Sequence, residues 1–376
     1  MGVIASDVGV PFLDLGPSHA LVKDDILSDV GSLIDTNAFI NGPHVAAFES
    51  AWAARCGTAR CVGVASGLDA LRLGLIAAGI QRGDEVVVPA NTFAATFEAV
   101  TQAGGRPVPA DVSPADYNLD FDAAAAAVTT RTRFVMPVHL YGQCCDMRVL
   151  CDFADRYDLT IIEDACQAHG AIRNGVAAGT VGRAAAFSFY PGKNLGAMGD
   201  AGALVTDDKK LADQVVALRE HGQRAKYRHD LEGFTARLDT VQAIVLLHKL
   251  RYLDIWNGER RALAAAYSDR LAGVGDLVLP PVPAGSNPVW HLYVVRTERP
   301  LELAEFLVER GIGTGRHYPE PPHTSLAYEW LGHRRGSFPV TEAMAGELLS
   351  LPIFPGMTLD QLETVVEAIR RYFACA

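Results

Sequence analysis

The sequence predicts an α/β fold in which a mostly parallel sheet is covered by helices, followed by a smaller C-terminal α+β unit. Two observations carry this. Short apolar runs suited to strands recur at Glu85–Pro89, Pro107–Asp111, Arg133–His139, Thr160–Glu163, Ala184–Phe189 and Ala203–Val205, with helical patterns between most of them. Strands alternating with helices indicate parallel pairing with both faces covered. After Asp207 the pattern turns helical, and a proline-rich stretch, Leu279–Pro283, leads into a second unit. The division expected is a large domain over 1–250 and a small one over 251–376.

Val10–Leu15 is a short apolar lead-in, followed by a helical pattern over His19–Asp35. Turn residues cluster at Ile40-Asn41-Gly42-Pro43, and helical spacing resumes over Val45–Arg55. Cys61–Ala65 reads as a strand running into Ser66-Gly67-Leu68-Asp69 and a helix to Ala78. Strand, small polar turn and helix is a geometry that offers free backbone N–H groups to a phosphate, although an ordinary helix cap by Ser66 uses the same residues. Further on, Leu211–His221 is amphipathic, a polar loop holds Arg224, Lys226, Tyr227, Arg228 and His229, and Gly233–Asp239 opens a long helical stretch to about Leu271. The last unit has a strand at His291–Arg296 and helices at Leu301–Arg310 and Leu359–Phe373.

Composition narrows the function. A net charge of −11, with no run of Lys or Arg, argues against a nucleic-acid surface. The hydrophobic fraction of 49% and charged fraction of 20% are those of a soluble globular protein. No stretch reaches the length of a membrane span, and no basic region precedes an apolar leader, so a cytoplasmic location is expected. Met1-Gly2 with Ser6 satisfies a loose myristoylation pattern that requires a eukaryotic enzyme. The seven cysteines include no C-x-x-C pair, which fits a reduced protein better than a disulfide scaffold or a zinc site.

Ligands of parallel sheets bind beyond the carboxyl ends of the strands, and the polar motifs fall there. Phe187–Gly202 reads F-S-F-Y-P-G-K-N-L-G-A-M-G-D-A-G, a strand and a turn that presents Lys193 among glycines in a chain with few lysines. An amine in a dry site has its charged form disfavoured and becomes available for a Schiff base. Asp164 closes an earlier strand, where a carboxylate is expensive without a cationic partner; the pyridinium nitrogen of pyridoxal phosphate would be one. Glu163, one residue before, points to the opposite face and reads as structural. Ser188 offers a phosphate hydroxyl. Phe93, after the Glu85 strand, suits either the core or a cofactor ring. His317-Tyr318-Pro319-Glu320-Pro321-Pro322-His323 is a proline-stiffened loop that fits polar substrate contacts better than a metal site.

These motifs resemble the DegT/DnrJ/EryC1/StrS family of PLP-dependent sugar aminotransferases. The likeness runs from P-F-L-D-L at Pro11 through S-G-L-D-A-L at Ser66, P-A-N-T-F at Pro89, H-L-Y-G-Q at His139, I-I-E-D-A-C-Q-A-H-G-A at Ile161 and G-F-T-A-R-L-D at Gly233 to L-S-L-P-I-F-P at Leu349. The resemblance implies a fold type I transaminase that works as a homodimer with active sites at the interface. It implies pyridoxal 5'-phosphate as cofactor, pyridoxamine phosphate as its alternate form, L-glutamate as donor and a nucleotide-linked keto sugar as acceptor. By the same resemblance Lys193 is the Schiff-base lysine, Asp164 the pyridinium partner, Gln167 the contact on the ring hydroxyl side and Phe93 the stacking aromatic. Ser188 with the backbone of Gly67 and Leu68 forms the phosphate site, joined across the dimer by Thr235 and Arg237. Thr235 departs from the family's usual Asn and has a shorter reach. Tyr190, Tyr227, His317 and His323 are candidates for sugar and nucleotide contacts. S-F-Y-P-G-K-N-L-G-A and the H-Y-P-x-P-x-H loop are similar to members that aminate C3 of a dTDP-linked 3-oxo-6-deoxyhexose. Members acting at C4 more often have His-Pro at Tyr190-Pro191. Amination at C4 or of another cyclic ketone, and a non-catalytic PLP-binding regulator, are the alternative readings. Lys193 itself argues against the related dehydratases, which carry histidine there.

Overall fold

The computed structural model describes residues 9–375; the Met1–Ser6 pattern lies outside them. A seven-stranded sheet organises the chain. Its strands are β1 (Arg60–Val64), β2 (Glu85–Pro89), β3 (Arg106–Ala110), β4 (Thr132–Val135), β5 (Thr160–Asp164), β8 (Ala184–Ser188) and β9 (Gly202–Thr206), with two-residue strands β6 (Ile172–Arg173) and β7 (Val176–Ala177) in a separate small sheet. The order is β1-β9-β8-β5-β4-β2-β3. Pairing is parallel from β3 through β8, and β9 runs antiparallel to both of its neighbours. Ser188 pairs with Gly202, and Gly202 with Val64, so the end of β8, the start of β9 and the end of β1 lie on one edge of the sheet.

The strands are short, apolar and buried on both faces, as a covered parallel sheet requires. One core layer is built from residues such as Trp52, Phe153, Phe187 and Phe189, the other from Leu71, Leu73, Phe97 and Leu204. A third cluster, including Tyr267, Tyr293, Leu349 and Ile369, holds the C-terminal strand pair Tyr293–Arg296 and Leu348–Leu351 against its helices.

Three elements depart from the sequence expectation by more than two residues. The strand expected over Arg133–His139 stops at Val135 and resumes as a single bridge from Val138 to Asp164, because Pro137 between them has no N–H to donate. The helix expected over His19–Asp35 is two, Gly16–Ala20 and Lys23–Thr36. The stretch opening at Gly233 is extended as far as Asp239: Thr235 and Arg237 bridge to Glu220 and Val64, and Phe234 and Ala236 N–H donate to the carbonyls of Leu218 and Arg219. Those pairings hold the backbone out of helical geometry, so helices occupy Thr240–Leu250 and Leu253–Leu271 instead.

Glu163 fixes the centre of the sheet from the face away from Asp164. Its fully buried carboxylate accepts from His139 Nε2 at 2.9 Å and from the N–H groups of Gly179, Val181 and Gly182 at 2.7, 2.9 and 2.7 Å. Burial alone would raise its pKa, but the His139 bond and the backbone donors hold it below the ordinary carboxylate value. A depressed carboxylate stabilises the fold above its unfolded pKa and loses that contribution as pH falls through the folded one. Glu163→Gln should therefore cost on the order of 3 kcal/mol in denaturant unfolding near neutrality, because an amide NH₂ would face backbone donors. The deficit relative to wild type should shrink on acidification below pH 4.5; an unchanged unfolding midpoint at neutral pH would refute this role.

Candidate active site

The carboxyl edge of the sheet borders a cavity of about 460 Å³, within the range of small-molecule sites, and its walls include Lys193, Asp164, Gln167, Ser188, Gly67, Leu68 and Phe93. These residues come from the ends of β2, β5 and β8 and from one helix N-terminus. Helix Gly67–Ala78 begins where β1 ends, with Ser66 Oγ accepting the Asp69 N–H at 3.0 Å. A Cβ at Gly67 would lie 2.7 Å from Ser188 Cβ and 2.8 Å from Cys166 Sγ, so only glycine lets the helix terminus meet the end of β8. The cap leaves the N–H groups of Gly67 and Leu68 beside the Ser188 hydroxyl, an arrangement suited to a phosphate.

Asp164 is 6% exposed and has no ion-pair partner among the described residues. Its Oδ2 accepts from Thr96 Oγ1 at 2.9 Å, with Thr92 Oγ1 behind it at 2.8 Å, and Oδ1 accepts from the Cys166 N–H at 3.2 Å. These donors fix the carboxylate and leave acceptor capacity toward the cavity, the requirement for receiving a protonated ring nitrogen. The amide of Gln167 is equally fixed: Tyr141 N–H donates to Oε1 at 2.7 Å, and Nε2 donates to the Tyr318 hydroxyl at 3.2 Å. Phe93 is not core. Its ring is 54% exposed beside Tyr318, at a centroid distance of 5.4 Å, and open for stacking on a flat ligand.

Lys193 is held by its loop. A turn closes with Lys193 N–H on Tyr190 O at 2.8 Å; Asn194 Nδ2 donates to Asn257 Oδ1 and Val289 O at 2.8 and 2.7 Å; Lys249 Nζ donates to Gly196 O at 2.7 Å. The Lys193 amine itself has no hydrogen-bond partner among the described residues. Burial lowers its pKa, opposed by the nearby Cys166 and Asp164. His169, behind the end of β8, donates Nε2–H to Ser188 O at 2.8 Å, and burial together with Lys193 pushes it down to about 3, so it is neutral. The lone amine, the uncompensated carboxylate and the glycine-lined N–H cradle fit the chemistry of pyridoxal phosphate.

The other candidates divide. Tyr190, 59% exposed, and His317 line the cavity. His317 Nδ1 lies 2.8 Å from Ser350 Oγ, its ring stacks on Phe12, and burial with the Lys193 charge pushes it down to about 4. His323 lies outside the cavity: its Nε2 is 3.2 Å from Glu342, its ring edge meets Phe338, and it borders a separate, open groove of about 1020 Å³. Tyr227 stands 81% exposed in the hairpin Gln223–His229 and lines no part of the cavity of its own chain. Thr235 and Arg237 are likewise outside it, Thr235 Oγ1 at 3.3 Å from His221 Nε2 and Arg237 paired with Glu220 at 2.9 Å. Thr92, Thr96, Tyr318, His291 and Arg260 join the site without having been assigned a role from the sequence. Thr92 and Tyr318 lie inside the P-A-N-T-F and H-Y-P-x-P-x-H motifs, whereas Arg260 lies in an ordinary-looking helical run, E-R-R, that carries no signal.

Residues 21–370 match the DegT/DnrJ/EryC1/StrS aminotransferase family. A Streptomyces venezuelae protein named dTDP-3-amino-3,4,6-trideoxy-alpha-D-glucose transaminase is 46% identical over 363 residues, 96% of this chain and 96% of its own. The erythromycin biosynthesis sensory transduction protein EryC1 of Saccharopolyspora erythraea is 44% identical over 361 residues, 96% of this chain and 99% of its own. Among solved structures, S. venezuelae DesV in complex with a ketimine intermediate has a TM-score of 0.94 at 45% identity, covering 97% of this chain and 98% of DesV. With a lysine and an aspartate converging beyond a mostly parallel sheet, and these likenesses running nearly end to end, the chain belongs to the DegT/DnrJ/EryC1/StrS aminotransferase family.

Proposed function

We propose that this chain transfers an amino group from L-glutamate to C3 of a dTDP-linked 3-oxo-6-deoxyhexose, using pyridoxal 5'-phosphate and its pyridoxamine form. The observation that carries the reading is the meeting of Lys193, Asp164 and the Ser188–Gly67 cradle in one cavity, in a chain 46% identical to a named nucleotide-sugar transaminase. Bound there, the cofactor supplies an electron sink that acidifies the carbon carrying the transferred nitrogen. Lys193, with its charged form disfavoured, takes a proton from that carbon and returns it in the other half-reaction. Asp164, steadied by Thr96, holds the ring nitrogen; Gln167 meets the ring hydroxyl; Phe93 stacks on the ring; Ser188 and the N–H groups of Gly67 and Leu68 take the phosphate. Neutral His317 and exposed Tyr190 contact the sugar, while His323 braces the loop of His317 through Glu342.

Tyr227, Thr235 and Arg237 act across a homodimer, each reaching the partner subunit's cavity. Supporting this, the hairpin that carries Tyr227 projects from its own chain, and Leu27, Ile34, Phe39 and Ile40 leave apolar side chains exposed. No helix among the described residues is long and apolar enough to cross a membrane, in keeping with the proposed cytoplasmic site of action. EryC1 is named for sensory transduction. A purely regulatory binder, however, has no use for a lysine whose charge burial disfavours beside a ring-nitrogen carboxylate.

The reading is tested with enzyme converted by L-glutamate and freed of donor, to which dTDP-linked 3-oxo and 4-oxo 6-deoxyhexoses are added separately. Visible cofactor absorption should return with the 3-oxo sugar alone. Return with the 4-oxo sugar alone would place the reaction at C4, and no response to glutamate or either sugar would favour a regulatory role. Lys193→Ala should lower turnover by about 10³-fold or more, and retained turnover would remove Lys193 from the mechanism. Because burial disfavours the lysine's charged form, loading of apoenzyme with pyridoxal phosphate should reach half its maximal rate below pH 10.5, the ordinary lysine value. A midpoint at 10.5 would mean that the amine is solvated.

A further inference from the structure

Arg260 lies on the helix Leu253–Leu271 and is 2% exposed, yet it lines the cavity of Lys193 together with His291 and Ile353. It is the only guanidinium among the described lining residues. A guanidinium stays charged in proteins, and a buried charge without a counter-charge is costly. No carboxylate among the described residues forms an ion pair with it. Its Nη1 donates to Ile353 O at 2.9 Å, Trp290 O at 3.1 Å and His291 O at 3.4 Å, bracing the loops before and after the C-terminal strand pair. That brace occupies one nitrogen of three. Nε is sealed in the protein without a partner, and Nη2 makes no hydrogen bond to the described residues, all of Arg260's bonds being made by Nη1.

A buried cation with a free donor on a cavity wall is a site for an anion. The geometry points to Arg260 as the anchor for a carboxylate of the amino donor, an inference that rests on the aminotransferase reading above. The other cation of the cavity, Lys193, is engaged in the chemistry and supplies no lasting counter-charge. The cofactor phosphate has its own cradle at Ser188, Gly67 and Leu68. His291 stands among these groups with Nδ1 unpartnered; burial first, then the charges of Lys193 and Arg260, hold it well below the ordinary imidazole range. Lys193, His291 and Arg260 line one cavity, which brings the guanidinium to the site of the amine. This suits an α-amino acid, whose carboxylate is one bond from the carbon that loses its proton to Lys193. A keto sugar carries no carboxylate, so the same pocket can hold donor and acceptor in turn while Arg260 contributes only to the donor half.

The test uses glutarate, a dicarboxylate without an amine that binds and cannot react, titrated calorimetrically into wild-type holoenzyme and the Arg260→Gln and Arg260→Lys variants. Loss of one charge-assisted hydrogen bond should weaken glutarate by about 10- to 100-fold in Arg260→Gln, and less in Arg260→Lys, which keeps the charge. KM for L-glutamate should rise in parallel while KM for the keto sugar stays within about two-fold, a split that a general loss of structure does not produce. Folded variants that bind glutarate as wild type does would overturn the assignment. Should the variants fail to fold, a crystal structure of wild-type holoenzyme with glutarate decides. A carboxylate in hydrogen-bond contact with Arg260 Nη2 upholds it, and carboxylates bound only elsewhere overturn it. Failure of the aminotransferase reading itself would show separately, as wild-type cofactor absorption indifferent to L-glutamate, because glutarate binding is read without turnover.

Discussion

Two adjacent carboxylates at the end of one buried strand set the terms for everything around them. Strand geometry sends Glu163 and Asp164 to opposite faces, and the chain answers them differently. Glu163 receives four donors and is spent on structure. Asp164 receives Thr96 and one backbone N–H, with no cation. Because the loop before β8 and the segment after β4 carry the donors to Glu163, the position of Asp164 is fixed from behind, by contacts that never enter the cavity. The carboxylate left partly unsatisfied is thereby held still, and a cationic ring nitrogen is the group proposed to complete it.

The lysine obeys the same logic in reverse. Its loop is tied down at Asn194, Gly196 and Met198 by Asn257, Lys249 and Gln242, all from the helical region after Asp239. The amine alone is left without a partner. Rigid backbone and an unsatisfied terminal atom are a costly combination in a folded protein. The cost is sensible where a ligand supplies the missing bond, and Arg260 Nη2 repeats the pattern a third time on the wall shared with His291 and Ile353.

The fold was legible because its signal is local: apolar runs of strand length, broken by turns and helices, need no tertiary knowledge to read. The site was legible where a residue was out of place for its local setting, as with an acid ending an apolar strand or a lysine among glycines. It was not legible where a residue is ordinary for its element. Arg260 is one of several basic residues on a helix, and Thr96 sits in the first turns of another; only packing reveals that each reaches the cavity. The misjudged stretch at Gly233–Asp239 has the same cause. Its composition permits a helix, and distant partners, Val64, Leu218, Arg219 and Glu220, take its backbone bonds instead.

The loop His317–His323 shows how finely position divides residues that look equivalent in sequence. Two histidines six residues apart, in one proline-stiffened segment, end up on opposite sides of it. His317 faces Lys193 and is bound through Ser350, whereas His323 faces away and is bound through Glu342. A segment anchored on both sides cannot swing freely, so the wall it presents, His317 with Tyr318, is as fixed as the strand ends opposite. Tyr227, Thr235 and Arg237 have no such place: each is oriented by its own chain, yet none borders a cavity that its own chain builds. A hairpin paired across a bulge, with its tyrosine turned to solvent, has gained order without burying the ring, and that is the ground on which the partner's cavity is proposed as its contact in a homodimer.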